Sequence, residues 1–212
     1  QTTTSYSPRS LHALGQGQLR EIDRMMQDVL ATVQPAAAAG VSPTEALRRL
    51  GQAPGMTFAD TPEGRDQALQ HYRDILAEAD RNLPRWFDFP LTRKVAVVPV
   101  PPWNEASAPY GSYRSPPLDR TSQASFVVNL RALAEQPRFQ MRTLAYHETI
   151  PGHHVQSTFT RELSGLPLHR RMAWFAGSSE GWALYAERLA AETGLLRDPL
   201  DRLGWLDARS LR

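Results

Sequence analysis

The 212-residue chain contains no cysteine, which excludes a disulfide scaffold, a cysteine-ligated zinc ribbon and a thiol nucleophile together. The compartment stays open, because a cysteine-free domain folds in oxidising and reducing surroundings alike. Lysine is nearly missing as well: Lys94 stands alone among 24 basic residues, the others being arginines spread along the whole chain. Against 22 acidic residues they leave a net charge of only +2. With no basic block or stripe, nucleic acid is not indicated as a partner. Long hydrophobic runs are also absent. The longest strongly apolar one, Val95 to Val98, falls far short of the ~20 residues a membrane-spanning helix needs. No signal-peptide pattern is found and the chain opens on Gln1, so a processed or excised piece of a larger protein is expected.

What is present is ordinary globular material: 41% hydrophobic and 22% charged residues, enough to exclude wholesale disorder and to build a core. Leu19, Ile22, Met26, Val29 and Val33 recur at helical spacing, which predicts a helix from about Ser10 to Val33, ended by the softer segment 34–40. Ser42-Pro43-Thr44-Glu45 supplies an N-cap, a first-turn proline and a capping-box acid for a second helix, with Gly51 as its stop. A third begins near Thr61-Pro62, turns Ala68, Leu69, Tyr72, Ile75, Leu76 and Ala79 inward, and closes before Pro84. Two β-branched stretches, Val95–Val100 and Ser125–Leu130, predict strands, and the Pro-, Ser- and Tyr-rich stretch from Pro99 to Pro117 reads as a long loop. Helices are expected again from about Pro137, over Leu168 to Phe175, from Ser178 or Ser179 to Gly194, and from Asp198-Pro199 into Arg212. The fold class is therefore mainly α with a small β-sheet (α+β).

Three groups stand out chemically: His147-Glu148, His153-His154 and Glu180. In the zinc motif H-E-x-x-H, two histidines at i and i+4 share one helix face. Here the i+4 position after His147 is Pro151, which cannot bind a metal. His153 is six positions on, rotated by roughly 120° in a straight helix, and His154 is seven on, roughly 10 Å further along the axis. Neither fits a regular helix. Pro151 removes the N–H that would bond the His147 carbonyl, and Gly152 tolerates unusual dihedrals, so a bulge is expected to bring His153 to the ligand position. Three of the six histidines fall in these eight residues. A site with two histidines needs a third ligand, commonly a carboxylate from a later helix, and Glu180 is placed to supply it. Glu187, on the same face two turns later, is read as pairing with an arginine or as orienting a ligand histidine. His154 stays open as the alternative second ligand or as a substrate contact.

The segments His147-Glu-Thr-Ile-Pro-Gly-His-His154 and Glu180-Gly-Trp-Ala-Leu-Tyr-Ala-Glu187 resemble the paired signatures of a bacterial family of unknown function whose members are similar to zincin-like metallopeptidases of the gluzincin kind. Ser125-Phe-Val-Val-Asn129 and Leu11 to Met26 resemble further parts of that family, so the likeness covers essentially the whole chain. Family members are generally longer at both ends. The resemblance implies that residues 1–212 are one zincin-like catalytic core region of a larger helical protein, with the remainder of that chain needed around it.

The function expected on this reading is a zinc-dependent peptidase. His147, His153 and Glu180 would hold Zn2+, and Glu148 would serve as general base toward a water attacking a peptide bond. The strand 126–129 is a candidate to pair with an extended peptide, Asn129 being the better substrate contact and Phe126 and Val128 better read as core. Two alternatives stand beside it: a zinc hydrolase of non-peptide amides or esters, and a metal-stabilised scaffold or partner-binding module without turnover. The frequent export of the family favours the periplasm over the cytoplasm.

Overall fold

The computed structural model describes residues 4–35, 40–117 and 122–211. Helix α1 (Pro8–Val33) starts where the Ser7 hydroxyl accepts the Ser10 N–H, and it buries Ile22, Met26 and Leu30. Leu19, expected inward, is exposed. Helix α2 (Pro43–Gly51) is capped by Ser42 and α3 (Pro62–Asn82) by Thr61, each with proline in the first turn. The inward face of α3 is the expected one, Ala68, Leu69, Tyr72, Ile75, Leu76 and Ala79 all being buried. Of the soft segment after α1, residues 36–39 lie outside the described residues.

The sheet has three strands rather than two. Strands β1 (Val95–Pro99) and β3 (Ala124–Val128) pair in parallel, and β2 (Gly111–Arg114) pairs antiparallel with β3, giving the order β1-β3-β2. The stretch read as a continuous loop thus contains a short strand. Its consequence is topological: β3 is the central strand, paired on both sides, so the edge nearest the site belongs to β2 and not to residues 126–129. Phe126 faces Val97 on one side and Tyr113 on the other, and its ring meets Tyr72 of α3 edge-on at 5.2 Å. On the β2 side, a Cβ on Gly111 would come within 3.0 Å of Leu144 Cδ2, so the missing side chain lets the strand lie close against the next helix.

The second helical group begins with α4 (Arg138–Glu148), followed by α5 (His153–Glu162), the short α6 (Leu168–Met172), α7 (Ala176–Glu192) and α8 (Pro199–Ser210). Helix α6 ends earlier than expected, and Phe175 becomes the cap of α7, which starts before Ser178. Gly194, in the left-handed region at φ 80°, follows α7 as the stop its sequence announces. The Asp198 carboxylate caps α8 through the Leu200 N–H; Arg212, where the sequence pattern carries on, lies outside the described residues. Helices α4 and α8 cross closely, since a Cβ on Gly204 would sit 2.0 Å from the Phe139 carbonyl oxygen. Among the described residues no helix is long and apolar enough to cross a membrane.

Candidate metal centre

The stretch from His147 to His154 is broken, not bulged. Helix α4 ends at Glu148, Thr149–Gly152 forms a turn that includes a cis Ile150–Pro151 bond, and α5 begins at His153. Gly152 is required there by close approach, not by a positive φ. Its φ is −75°, while a Cβ would lie 1.9 Å from the His147 carbonyl oxygen and 2.3 Å from that of Tyr146. The Gly152 N–H donates to the Tyr146 carbonyl at 3.0 Å. From α7, the Trp182 indole N–H donates to the Pro151 and Gly152 carbonyls at 3.1 and 3.2 Å. The turn that reorients His153 is thereby tied to the helix that carries Glu180.

His147, His153 and Glu180 come together as a result. Each offers one donor atom, and these atoms lie within 4.8 Å of one another. Glu180 Oε2 is 3.4 Å from His147 Nε2 and 3.7 Å from His153 Nε2, and the two imidazoles stand nearly perpendicular with centroids 4.9 Å apart. Ligands at ~2.0–2.1 Å around a tetrahedral ion lie about 3.3 Å from each other, so two imidazoles and one carboxylate at these separations fit a divalent metal ion. Behind the cluster, His147 Nδ1 donates to Glu187 Oε1 at 2.7 Å. This fixes the tautomer that leaves the Nε2 lone pair toward the cluster. Glu187 is fully buried, and the partner it orients is His147, one of the two kinds of partner the sequence offered for it. Glu180 and Glu187 are two turns apart on α7, about 10.5 Å along the axis, and they hold His147 between them.

The family model described as a bacterial protein of unknown function (DUF885) matches residues 1–212. The chain belongs to this family. No curated protein matches it. Among solved structures it is similar to a candidate lipoprotein from Colwellia psychrerythraea, with 30% identity and a TM-score of 0.93 over 98% of this chain and 35% of that one. A candidate lipoprotein of unknown function from Shewanella oneidensis shares the fold at 18% identity, with a TM-score of 0.70 over 97% of this chain and 38% of that one. The DUF885 chain thus spans about a third of the length of the solved proteins it resembles.

In this DUF885 chain the cluster opens into a cleft of about 810 Å³, lined also by Glu148, Ser112 and Tyr113. Glu148 is not one of the clustered donors. Its Oε2 accepts the backbone N–H of Tyr113 at 2.8 Å, so strand β2 holds the carboxylate at the edge of the cleft. The remaining expected site residues lie elsewhere. His154 is fully buried, its Nε2 donating to the Arg93 carbonyl at 2.9 Å and its Nδ1 accepting from the Tyr113 hydroxyl at 3.1 Å. Burial lowers its pKa, in keeping with a neutral ring that both accepts and donates, and with both nitrogens engaged it faces neither the metal cluster nor the cleft. Asn129 is buried as well. Its Nδ2 donates to the Glu105 and Ala108 carbonyls and its Oδ1 accepts the Arg131 N–H, so it staples two loops and is not a wall of the cleft. Sequence reasoning missed Tyr113 and Trp182. Trp182 stood inside the second signature and could have been asked what it holds; Tyr113 carried no local signal, being set in a stretch that reads as loop.

Proposed function

We propose that this DUF885 chain carries the hydrolytic centre of a zincin-type metallopeptidase, with zinc held by His147, His153 and Glu180. The observation that carries the reading is Glu148. A scaffold site needs donors only, whereas here a further carboxylate borders the same cleft outside the donor set, fixed by the Tyr113 N–H. Zinc held by these residues would supply Lewis acidity toward a water and the carbonyl in the cleft. Glu148 takes the proton from the attacking water and delivers it to the leaving amine nitrogen. Glu187 keeps His147 in the ligating tautomer, and Trp182 keeps the Pro151-Gly152 turn, and with it His153, registered against α7. Strand β2, at the edge of the sheet beside Glu148, favours an extended peptide over a compact amide or ester, since a strand edge offers main-chain partners only to another main chain. Export from the cytoplasm is part of the proposal, supported by the solved Colwellia protein described as a candidate lipoprotein.

Glu148→Gln tests the reading. The full-length variant is expected to retain its zinc, measured by metal analysis, and to lose about 10²–10⁴-fold in turnover on a mixed peptide library. Turnover unchanged in the variant would remove Glu148 as the base, and no turnover by wild type would assign the site to a scaffold.

A further inference from the structure

The cleft is not electrically even. Among the described residues its carboxylates are Glu148 and Glu180, both at the metal end, while Arg161, Arg170, Arg171 and His169 line it from the end of α5 and from α6. None of these three arginines forms an ion pair with a described residue. Two are anchored instead by neutral carbonyls: Arg161 Nη1 donates to the Pro116 oxygen at 2.8 Å, and Arg171 Nε donates to the Arg161 oxygen at 2.8 Å. A carbonyl fixes a guanidinium in place without cancelling its charge, and of the five N–H donors on each group most remain for a ligand. Six other arginines meet carboxylates among the described residues, as Arg65 does with Glu105 and Arg142 with Glu78; what sets these three apart is that they share one side of a cleft. The cationic wall therefore concentrates, on one side of a concave site, charge that no described residue compensates, the arrangement that attracts and orients an anion.

We propose that this wall recognises a carboxylate on the substrate. The inference rests on the peptidase reading for the kind of molecule that carries the carboxylate. Arg161 follows His153 by eight residues on α5, about 12 Å along the axis, which corresponds to roughly three to four residues of extended peptide at ~3.3 Å each. The recognised group is thus either the free C-terminus of a short peptide or an acidic side chain a few residues from the bond that is cut.

The experiment uses full-length, zinc-loaded protein with Glu148→Gln, titrated calorimetrically with three acetylated hexapeptides of Ala and Gly: one with a free C-terminal carboxylate, one amidated, and one amidated with a single internal Glu. At least one acidic peptide is expected to bind about 10-fold or more tightly than the neutral amide, with the preference weakening as salt is raised. Which of the two it is distinguishes the terminal from the side-chain source. Arg161→Gln with Arg170→Gln is expected to bring the acids down to the affinity of the amide. Because Arg161 also holds the Pro116 carbonyl, the exposed Arg170→Gln is measured alone too, and a smaller loss of preference is expected. Equal binding of all three peptides, no binding of any, or a preference that survives both variants overturns the proposal. Cleavage by protein with Glu148 intact decides the underlying reading separately. If that protein cuts acids and amides equally, the wall has no such role while the peptidase stands; if it cuts none of them although the preference holds and depends on the arginines, the peptidase reading falls and the carboxylate site stands.

Discussion

Helix α4 has a closed end and an open end, and they treat charge in opposite ways. About one turn after its N-terminus, Arg142 lies 2.6 Å from Glu78 and 3.0 Å from Asp201 and donates to the Tyr146 hydroxyl at 2.8 Å. These groups come from α3, α4 and α8, and they satisfy one another within the protein. In the last turn, His147 and Glu148 join His153 and Glu180 around a cleft. The first arrangement is what packing charged groups between helices requires, since an unpaired buried charge is costly. The second gathers groups whose shared partner is an ion or a substrate. Titratable clusters are common in folded proteins; convergence on open space, with a carboxylate to spare, is what separates a site from a staple.

The adjacent pair His153 and His154 repeats this contrast at the scale of one residue, and single substitutions should break it most visibly. His153→Ala is expected to remove the bound metal, from one ion per chain to none by metal analysis, with the fold retained by circular dichroism. His154→Ala is expected to do the reverse. It leaves the Arg93 carbonyl and the Tyr113 hydroxyl without their partner and opens a cavity, costing about 2–3 kcal/mol in denaturant unfolding while metal content stays at one. If His154→Ala strips the metal and His153→Ala does not, the ligand assignment is reversed.

The turn that follows the open end offers a sharper cut. Gly152→Ala places a Cβ against two backbone carbonyls of α4, so the turn must open and carry His153 with it. A loss of roughly 3 kcal/mol is expected, together with weakened metal binding. Gly181→Ala is the matched control, because a Cβ there meets nothing within 4 Å and should stabilise α7 by about 0.5–1 kcal/mol. Smaller in reach is Glu187→Gln, which keeps the shape of the buried group but weakens its hold on His147 Nδ1. Metal affinity is expected to fall about 10–100-fold, read by competition with a chelator, and affinity equal to wild type would show that Glu187 is only packing.

How much of this was legible in the sequence divides along physical lines. Proline and hydroxyl caps, apolar stripes and Gly194 announced most helices, because those signals act within one turn of chain. That His147, Glu180 and one histidine of the pair 153–154 would gather was legible from residue type and spacing. That α4 breaks rather than bulges was not, since both outcomes use the same Pro-Gly; the decision lies in the closeness of Gly152 to the α4 carbonyls and in the Trp182 bonds from another helix. Strand β2 was hidden because its four residues, Gly111 to Arg114, carry no alternation, and it exists through pairing with β3 and packing on α4. The same holds for the sorting of His153 from His154, which depends on the direction in which α5 leaves the turn. Asn129 looked like a contact because a polar side chain at a strand end is often exposed, yet the loops around it consume its amide.

The closed end predicts a pH signature of its own. Burial pushes Asp201 up to about 6, although Arg142 pulls it down. In the unfolded chain the same carboxyl titrates near ~4. Between these values the folded protein keeps a proton that the unfolded chain has released, so stability declines as pH rises from about 4 to 6 and levels off above that. The amplitude is on the order of 2 kcal/mol. Asp201→Asn removes the titrating proton while an amide oxygen can still accept from Arg142, so the variant's midpoint of denaturant unfolding should vary less over pH 4–6, matching wild type near pH 4 and exceeding it at pH 7. An unaltered slope in Asp201→Asn would show that Arg142 outweighs burial and that the knot holds Asp201 ionised throughout.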